Sequence, residues 1–301
     1  MLKKRKSMLK TEELKTNISL APYTYIKIGG PAKYFYVANS SDDISEAVSF
    51  ALSNNLNYLI LGLGGNVLFP DEGFDGLVIL NRASSWQINE EEKNAVAQSG
   101  VILKPFITDL AIKGFAGLEF FANIPGSVGG AVAGNAGAYG HSISEEISWV
   151  KFIDPEGEII TENRDFFEFE YRSSRIKKGY RAVILEVCFD IYHKNSEELL
   201  KQIEEDEALR KGKHPEYPSC GSFFKNISRE ITAGKLIEDA GLKGFKVGDA
   251  MVSDKHANFI VNTGNATAKD VKTLADHIVN VVKEKTGYDL EREVVIIKNK
   301  Q

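Results

Sequence analysis

From Ser41 onward, Ile44, Ala47, Val48, Ala51 and Leu52 fall on one side of a 3.6-residue repeat, behind a Ser/Asp start and ahead of Asn54-Asn55, which predicts a helix. The short apolar run Tyr58-Leu59-Ile60-Leu61 reads as a buried strand, and Gly76-Leu77-Val78-Ile79-Leu80 as a second one after the turn-rich Pro70-Asp71-Glu72-Gly73. A helix opening at Pro105 and running through Leu110 and Ala111 is closed by Gly114, since glycine accepts the left-handed cap conformation. Val150 to Ile153 and Glu158 to Thr161 flank Asp154-Pro155-Glu156-Gly157 and predict a hairpin, and Ala182 to Val187 continues the strand content. The charged stretch Ser196 to Lys213 carries Leu199, Leu200, Ile203 and Leu209 as its apolar stripe and predicts a surface helix between two lobes. Beyond it come a helix from Thr232 to Ala240 stopped by Gly241 and an apolar run from Asn258 to Val261. A long helix follows, capped by Thr267 with Asp270, faced by Val271, Leu274, Ala275, Ile278 and Val282, and ended by Gly287; Val294 to Ile297 is the last strand. Helices and strands mix without regular β-α alternation, which predicts an α+β fold rather than a doubly wound sheet.

At 301 residues and 43% hydrophobic, the chain can bury two or three cores. Its net charge of -5 argues against nucleic-acid or membrane-surface binding, because phosphate backbones demand a net basic face; an anionic ligand has to be met by local cations. Two cysteines, Cys188 and Cys220, and five scattered histidines suit neither a disulfide framework nor a metal site. The basic opening Met1-Leu2-Lys3-Lys4-Arg5-Lys6 is followed by the polar Ser7 to Lys15 and reads as a solvated tail rather than a signal peptide. No stretch approaches the roughly 20 apolar residues of a membrane helix. A soluble, cytoplasmic protein is expected.

Two glycine-rich loops are the candidate chemistry. In Gly62-Leu63-Gly64-Gly65-Asn66-Val67-Leu68 the third glycine of the usual dinucleotide fingerprint would fall at Val67, and Pro70 discourages a following helix. The loop reads equally as a phosphate-binding turn and as a tight strand connection. The second runs Ile124-Pro125-Gly126-Ser127-Val128-Gly129-Gly130-Ala131-Val132-Ala133-Gly134-Asn135-Ala136-Gly137-Ala138-Tyr139-Gly140. Such a run forfeits side-chain packing and costs ordering entropy, yet it interleaves Ile124, Val128, Val132 and Tyr139 where a flexible linker carries polar residues. A backbone wrapping a large flat ligand fits it better than a linker.

Several motifs in order then carry a resemblance. They are Ile28-Gly29-Gly30-Pro31-Ala32, the loop from Gly62, Gly117-Leu118-Glu119-Phe120 with Ile124 to Gly140, Tyr171-Arg172-Ser173-Ser174-Arg175, Gly221-Ser222-Phe223-Phe224-Lys225-Asn226, Val252 to Asn262, and Leu290-Glu291-Arg292-Glu293-Val294. Over nearly the whole chain the sequence resembles the UDP-N-acetylenolpyruvoylglucosamine reductase family. The resemblance implies a two-lobed FAD-binding fold of the vanillyl-alcohol oxidase type over residues 1–198, with lobes of about 1–82 and 83–198. It also implies an α+β substrate-binding domain over 199–301, leaving open whether the last strand returns to the FAD domain. It implies noncovalent FAD, and neither glycine loop offers a cysteine for attachment. NADPH is the implied hydride donor and a UDP-sugar the acceptor, with a monomer as the working form and no nucleic acid or membrane partner. The short span from Arg172 to Ser222 resembles the shorter form of the family.

Reduction of an enolpyruvyl double bond needs a hydride, which no side chain supplies, and a proton at the neighbouring carbon. By resemblance, the catalytic residues are Arg172, Ser222 and Glu293. A permanently charged guanidinium at Arg172 suits a carboxylate or developing enolate, though an arginine there, taken alone, reads as an ion pair. Ser222 is assigned the proton donor, on a tight turn after Gly221 where most serines cap backbone amides. Glu293 is assigned the orienting carboxyl, with Glu291 as its competitor. Gly62, Gly64, Gly65, Asn66, Pro125, Gly126, Ser127, Gly129, Gly130, Asn135, Gly137 and Ala138 are the implied cofactor contacts. Lys213, Asn226 and His256 are the implied substrate contacts, with Lys225 and Lys255 in reserve; His256 by itself also reads as a satisfied core histidine. Gly65 stands where the family commonly has serine, Cys220 where it has alanine and Gly134 where it has methionine. The competing reading is another flavin oxidoreductase of the same fold, such as an oxidase of a small alcohol or sugar. A third is a silent flavin-binding regulator.

Overall fold

Ser41–Ser53 forms the first long helix, with the Ser40 hydroxyl accepting from the Asp43 amide and so satisfying one of the unpaired amides of the opening turn. Its Ile44, Ala47, Val48 and Ala51 share a core with Leu77 and Ile79. The computed structural model describes residues 9–299. It divides into two compact units. The first takes the residues up to Ile18, Ala32–Gly62 and Asp75–Leu199; the second takes Ser19–Pro31, Leu63–Phe74 and the residues from Leu200 on.

A four-stranded sheet in the first unit orders Lys15–Ser19, Pro31–Ala38, Phe74–Asn81 and Tyr58–Leu61. Tyr58–Leu61 runs parallel to Phe74–Asn81, pairing Tyr58 with Leu77 and Leu61 with Leu80. Phe74–Asn81 is buried along almost its whole length, as its central place requires. Tyr58, Leu59 and Ile60, expected to be buried, are only half-buried, because they line a cavity. A second, antiparallel sheet orders Ile159–Asn163, Ile147–Ile153, Val183–Asp190, Asn94–Gln98 and Trp86–Asn89. The predicted hairpin is its outer pair, turning with Gly157 at φ +93°.

Three expectations change. The segment read as a solvated tail is structured from residue 9: Leu9 and Leu14 are buried in the same core as Ile44 and Ile79, and Lys15–Ser19 is an edge strand. Two apolar residues sufficed to anchor a polar stretch. The rest of that predicted tail, residues 1–8, lies outside the described residues. The helix expected at Pro105 begins at Leu103, which places the proline in the first turn where its missing amide costs nothing; Gly114 follows the helix at φ +75°. Within the second glycine loop, read without regular elements, Val128–Ala133 is helical and Gly137–Ala138 pairs with His141–Ser142.

The second unit holds an antiparallel sheet ordered Ser219–Ser222, Phe259–Asn262, Ala250–Val252 and Lys246–Val247. Ala268–Thr286 and Ala233–Asp239 supply Val271, Leu274, Ile278 and Ile237 to its core, together with Phe223, Phe224 and Ile260. The long helix is closed by the Thr267–Asp270 capping box and by Gly287 at φ +79°. The sequence reading cuts the chain once, near residue 199, whereas Ser19–Pro31 and Leu63–Phe74 group with the C-terminal part. The reason is pairing: Val67–Leu68 runs parallel to Val295–Ile296, the Asn262 amide donates to the Ile26 carbonyl at 3.1 Å, and Ile26, Ile28 and Leu68 enter the second core. The division falls inside the helix Ser196–Lys213.

Candidate active site

Gly62, Ser127, Gly129 and Gly130 line a cavity of ≈ 360 Å³ in the first unit, with Tyr58, Ile60, Ala182 and Ile184 supplying apolar walls. A Cβ on Gly62 would collide with the Ser127 hydroxyl, so the two glycine-bearing segments meet here. At Gly126 a Cβ would make only ordinary contact, with the Leu103 side chain at 3.7 Å. A mostly apolar hollow edged by small residues and main chain fits a flat dinucleotide ring system. The amides do not all serve it. Val128 N–H donates to the Val101 carbonyl and Gly129 N–H to the Ser99 carbonyl, both at 2.8 Å. Gly129 is glycine for the same packing, since a Cβ would lie 2.8 Å from that of Ser99.

The rest of this loop is bonded to the turn that carries Arg172. Glu170 and Ser173 exchange backbone hydrogen bonds at 3.1 Å across Tyr171 and Arg172, and Arg172 takes φ +53°, a left-handed conformation that costs a side-chain-bearing residue about 1 kcal/mol. Three hydrogen bonds fasten the turn: Asn135 Nδ2 donates to the Glu170 carbonyl at 2.8 Å, Ser174 Oγ to the Ala133 carbonyl at 2.6 Å, and Arg172 Nη2 to the Gly137 carbonyl at 2.6 Å. The Arg172 guanidinium also sits 5.2 Å from the Tyr171 ring centroid. Arg175 behaves differently, stacking between Phe166 and Tyr180 at 4.4 and 4.7 Å.

Ser222, Glu293 and Asn66 come together in the second unit. Ser222 ends the strand Ser219–Ser222 opposite Phe259, after Gly221 at φ +75°; it is a strand end rather than the expected turn. The next residue, Phe223, accepts from the Glu293 amide at 2.9 Å, and the Glu293 carbonyl accepts from Asn66 Nδ2 at 3.4 Å. Glu291 is engaged elsewhere. Its exposed carboxylate takes Lys225 Nζ at 2.6 Å, which also occupies a reserve lysine, while Glu293 is half-buried. Asn258 locks the segment after Ser222 by accepting from the Phe224 amide at 3.0 Å and donating to its carbonyl at 2.8 Å. The sequence quoted Asn258 within a motif, yet nothing in it signalled a partner so far along the chain.

Gly64, which shares the first loop with Gly65 and Asn66, takes φ +67°, and a Cβ there would strike the Tyr23 carbonyl. Among the substrate candidates, Lys213 is exposed at the end of its helix. Asn226 Oδ1 accepts from the Ala233 amide at 3.0 Å. Lys255 Nζ donates to the Lys211 carbonyl at 2.8 Å. The His256 ring lies 4.9 Å from that of Phe259, and its Nδ1 accepts from the Asn258 amide at 3.2 Å, which leaves Nε2 as the proton-bearing nitrogen. Burial lowers its pKa. Its neighbour His214, which the sequence did not single out, is pushed down to about 4 by burial and then by Arg210, His256 and Lys255, so both rings are neutral at pH 7. Cys220 is no nucleophile: burial pushes its thiol up to about 12, and it donates to the Val67 carbonyl. Among the described residues no cluster of His, Cys, Asp and Glu could hold a metal ion, and no helix is long and apolar enough to cross a membrane.

Residues 32–163 match the family model of an FAD binding domain, and residues 213–297 match that of the UDP-N-acetylenolpyruvoylglucosamine reductase C-terminal domain. A protein of that reductase name from Lachnoclostridium phytofermentans is 41% identical over 306 residues, covering 100% of this chain and 98% of its own length. The Bacillus subtilis protein of the same name is 37% identical, covering 93% of each. The crystal structure of UDP-N-acetylenolpyruvylglucosamine reductase from Thermus caldophilus superposes with a TM-score of 0.79 at 31% identity, covering 95% of this chain and 99% of the other. With relatives above 30% identity matched end to end, the chain belongs to the UDP-N-acetylenolpyruvoylglucosamine reductase family.

Proposed function

We propose that the protein reduces UDP-N-acetylenolpyruvoylglucosamine to UDP-N-acetylmuramate with NADPH and FAD, supplying peptidoglycan precursor as a cytoplasmic monomer. The observation that carries this reading is the pair of family matches, an FAD-binding model over residues 32–163 and the reductase C-terminal model over 213–297. The second match leaves the oxidase reading without support.

The cavity residues Gly62, Ser127 and Gly130, the loop residues Pro125, Gly126 and Ala138, and Gly64, Gly65 and Asn66 would hold FAD. FAD, when bound and reduced by NADPH, supplies the hydride that no side chain can give. Arg172 holds a permanent positive charge for the substrate carboxylate, so that charge developing there in the transition state meets a partner already in place. Ser222 Oγ gives its proton to the carbon beside the one that receives hydride. Glu293, half-buried with its amide on the Phe223 carbonyl, orients the substrate and returns a proton to that hydroxyl. Lys213, Asn226 and the Nε2–H of His256 meet the substrate's diphosphate and sugar, with Asn226 held through its Oδ1 by the Ala233 amide.

Purified protein should carry flavin absorbance, and its NADPH oxidation should depend on the enolpyruvyl sugar nucleotide. Ser222→Ala should leave flavin reduction by NADPH intact while lowering turnover by roughly 10²- to 10⁴-fold. An equal loss in both half-reactions would remove Ser222 from the role of proton donor.

A further inference from the structure

The side chain of Asn135 is engaged within the protein at both ends. Its Nδ2 donates to the Glu170 carbonyl at 2.8 Å, and its Oδ1 accepts from the Ser144 amide at 3.3 Å. The residue is buried and takes φ +44°. Ser174 is fully buried; its hydroxyl donates to the Ala133 carbonyl at 2.6 Å and accepts from the Lys177 amide at 3.2 Å. Between these two ties lies the left-handed Arg172, whose Nη2 reaches the Gly137 carbonyl. Gly137 has no room for a side chain: a Cβ would run into Arg172 Nη1 and would lie 2.8 Å from the His141 carbonyl. Residues from two separate stretches thus build a seat for one guanidinium.

We infer that Asn135 and Ser174 are positioning residues for Arg172, holding the strained turn against the small-residue loop, and that Gly137, which the His141 carbonyl already keeps free of a side chain, leaves room for the guanidinium. Both polar side chains are bonded within the protein. Each fixes one end of the turn, Asn135 at Glu170 and Ser174 just past Ser173, so that Arg172 keeps a conformation it would otherwise leave. The inference rests on the catalytic reading of Arg172.

The test compares Asn135→Gly, which keeps the positive φ and removes only the side-chain bonds, with Ser174→Ala and Gly137→Ala in the FAD-loaded enzyme. Flavin content, thermal midpoint, flavin reduction by NADPH and reoxidation by the enolpyruvyl sugar nucleotide are measured for each. Asn135→Gly and Ser174→Ala should slow reoxidation by about tenfold to a hundredfold, the scale of a misplaced catalytic group. In Ser174→Ala the flavin content and the NADPH step should stay unchanged, and Asn135→Gly is compared per bound flavin. Gly137→Ala, which crowds the guanidinium from the opposite side, should slow the same step. In an Arg172→Ala background, Asn135→Gly and Ser174→Ala should have no further effect, because their only route to the reaction is gone. Unchanged reoxidation in both variants overturns the inference. So does a slowing that persists in full without Arg172, or one that merely tracks flavin loss. If Arg172→Ala itself reoxidises at the normal rate, the assignment of Arg172 falls and takes the inference with it; a slow Arg172→Ala beside normal Asn135→Gly and Ser174→Ala overturns the inference alone.

Discussion

Two glutamates two positions apart, Glu291 and Glu293, show how a neighbour decides a residue's use. Glu291 is 71% exposed in its side chain and paired with Lys225, a surface pair of the kind that contributes about 0–1 kcal/mol. Glu293 is half-buried, with its amide on Phe223 and its carbonyl on Asn66. Glu293→Gln should therefore lower kcat/KM by roughly 10²-fold or more, while Glu291→Gln should leave it within about twofold; steady-state kinetics on the two variants check this. A comparable loss in both would place the carboxyl's role on neither. Glycines carry the same lesson. Gly129 and Gly137 sit in a segment that composition marks as unusual, yet a Cβ there would meet the Ser99 Cβ and the Arg172 guanidinium, which lie in other parts of the chain.

At the scale of elements, strong periodicity with matching caps was legible and close packing of small residues was not. Ala268–Thr286 shows the first: an apolar face, a Thr267–Asp270 capping box and a glycine stop were all readable, and all form. Thr267→Ala should remove the hydroxyl that accepts the Asp270 amide at 3.0 Å and destabilise the protein by about 1 kcal/mol, read as a lower thermal midpoint at unchanged flavin content. No change would mean that packing alone holds that turn. Val128–Ala133 shows the second. Glycines disfavour helix by about 1 kcal/mol each relative to alanine, so local preference argued for coil. The helix forms because Val128, Ala131 and Val132 are buried and because Gly129 lets it approach Ser99 closely. Lys15–Ser19 went unread for a related reason: a polar edge strand has no alternation to report, and its place is set by the neighbouring Pro31–Ala38.

For the whole molecule, the second unit is assembled from three stretches, and its core includes Ile26, Ile28 and Leu68 from the first quarter of the chain. A fragment of residues 200–301 alone would lose those three side chains, the parallel partner of Val295–Ile296 and the carbonyl of Ile26 that pairs with Asn262. It should retain helix by far-UV circular dichroism but lack the near-UV signal and sharp side-chain resonances of fixed packing, like other partly collapsed states. A cooperative thermal transition from the fragment would show that the early stretches add nothing essential. The family matches bound the same question differently, since the reductase C-terminal model begins at residue 213, the last residue of the helix Ser196–Lys213.

The sequence by itself determined most helix positions, the mixed α+β class and, through its ordered motifs, the flavin-type chemistry, because each of these depends on local spacing or on residue order. Tertiary structure alone decided that Glu291 answers Lys225, that Asn135 and Ser174 hold the turn of Arg172, and that the early segments complete the C-terminal core. Those outcomes depend on which distant atoms come within hydrogen-bond or van der Waals reach, and pairing of that kind leaves no periodic trace along a single chain.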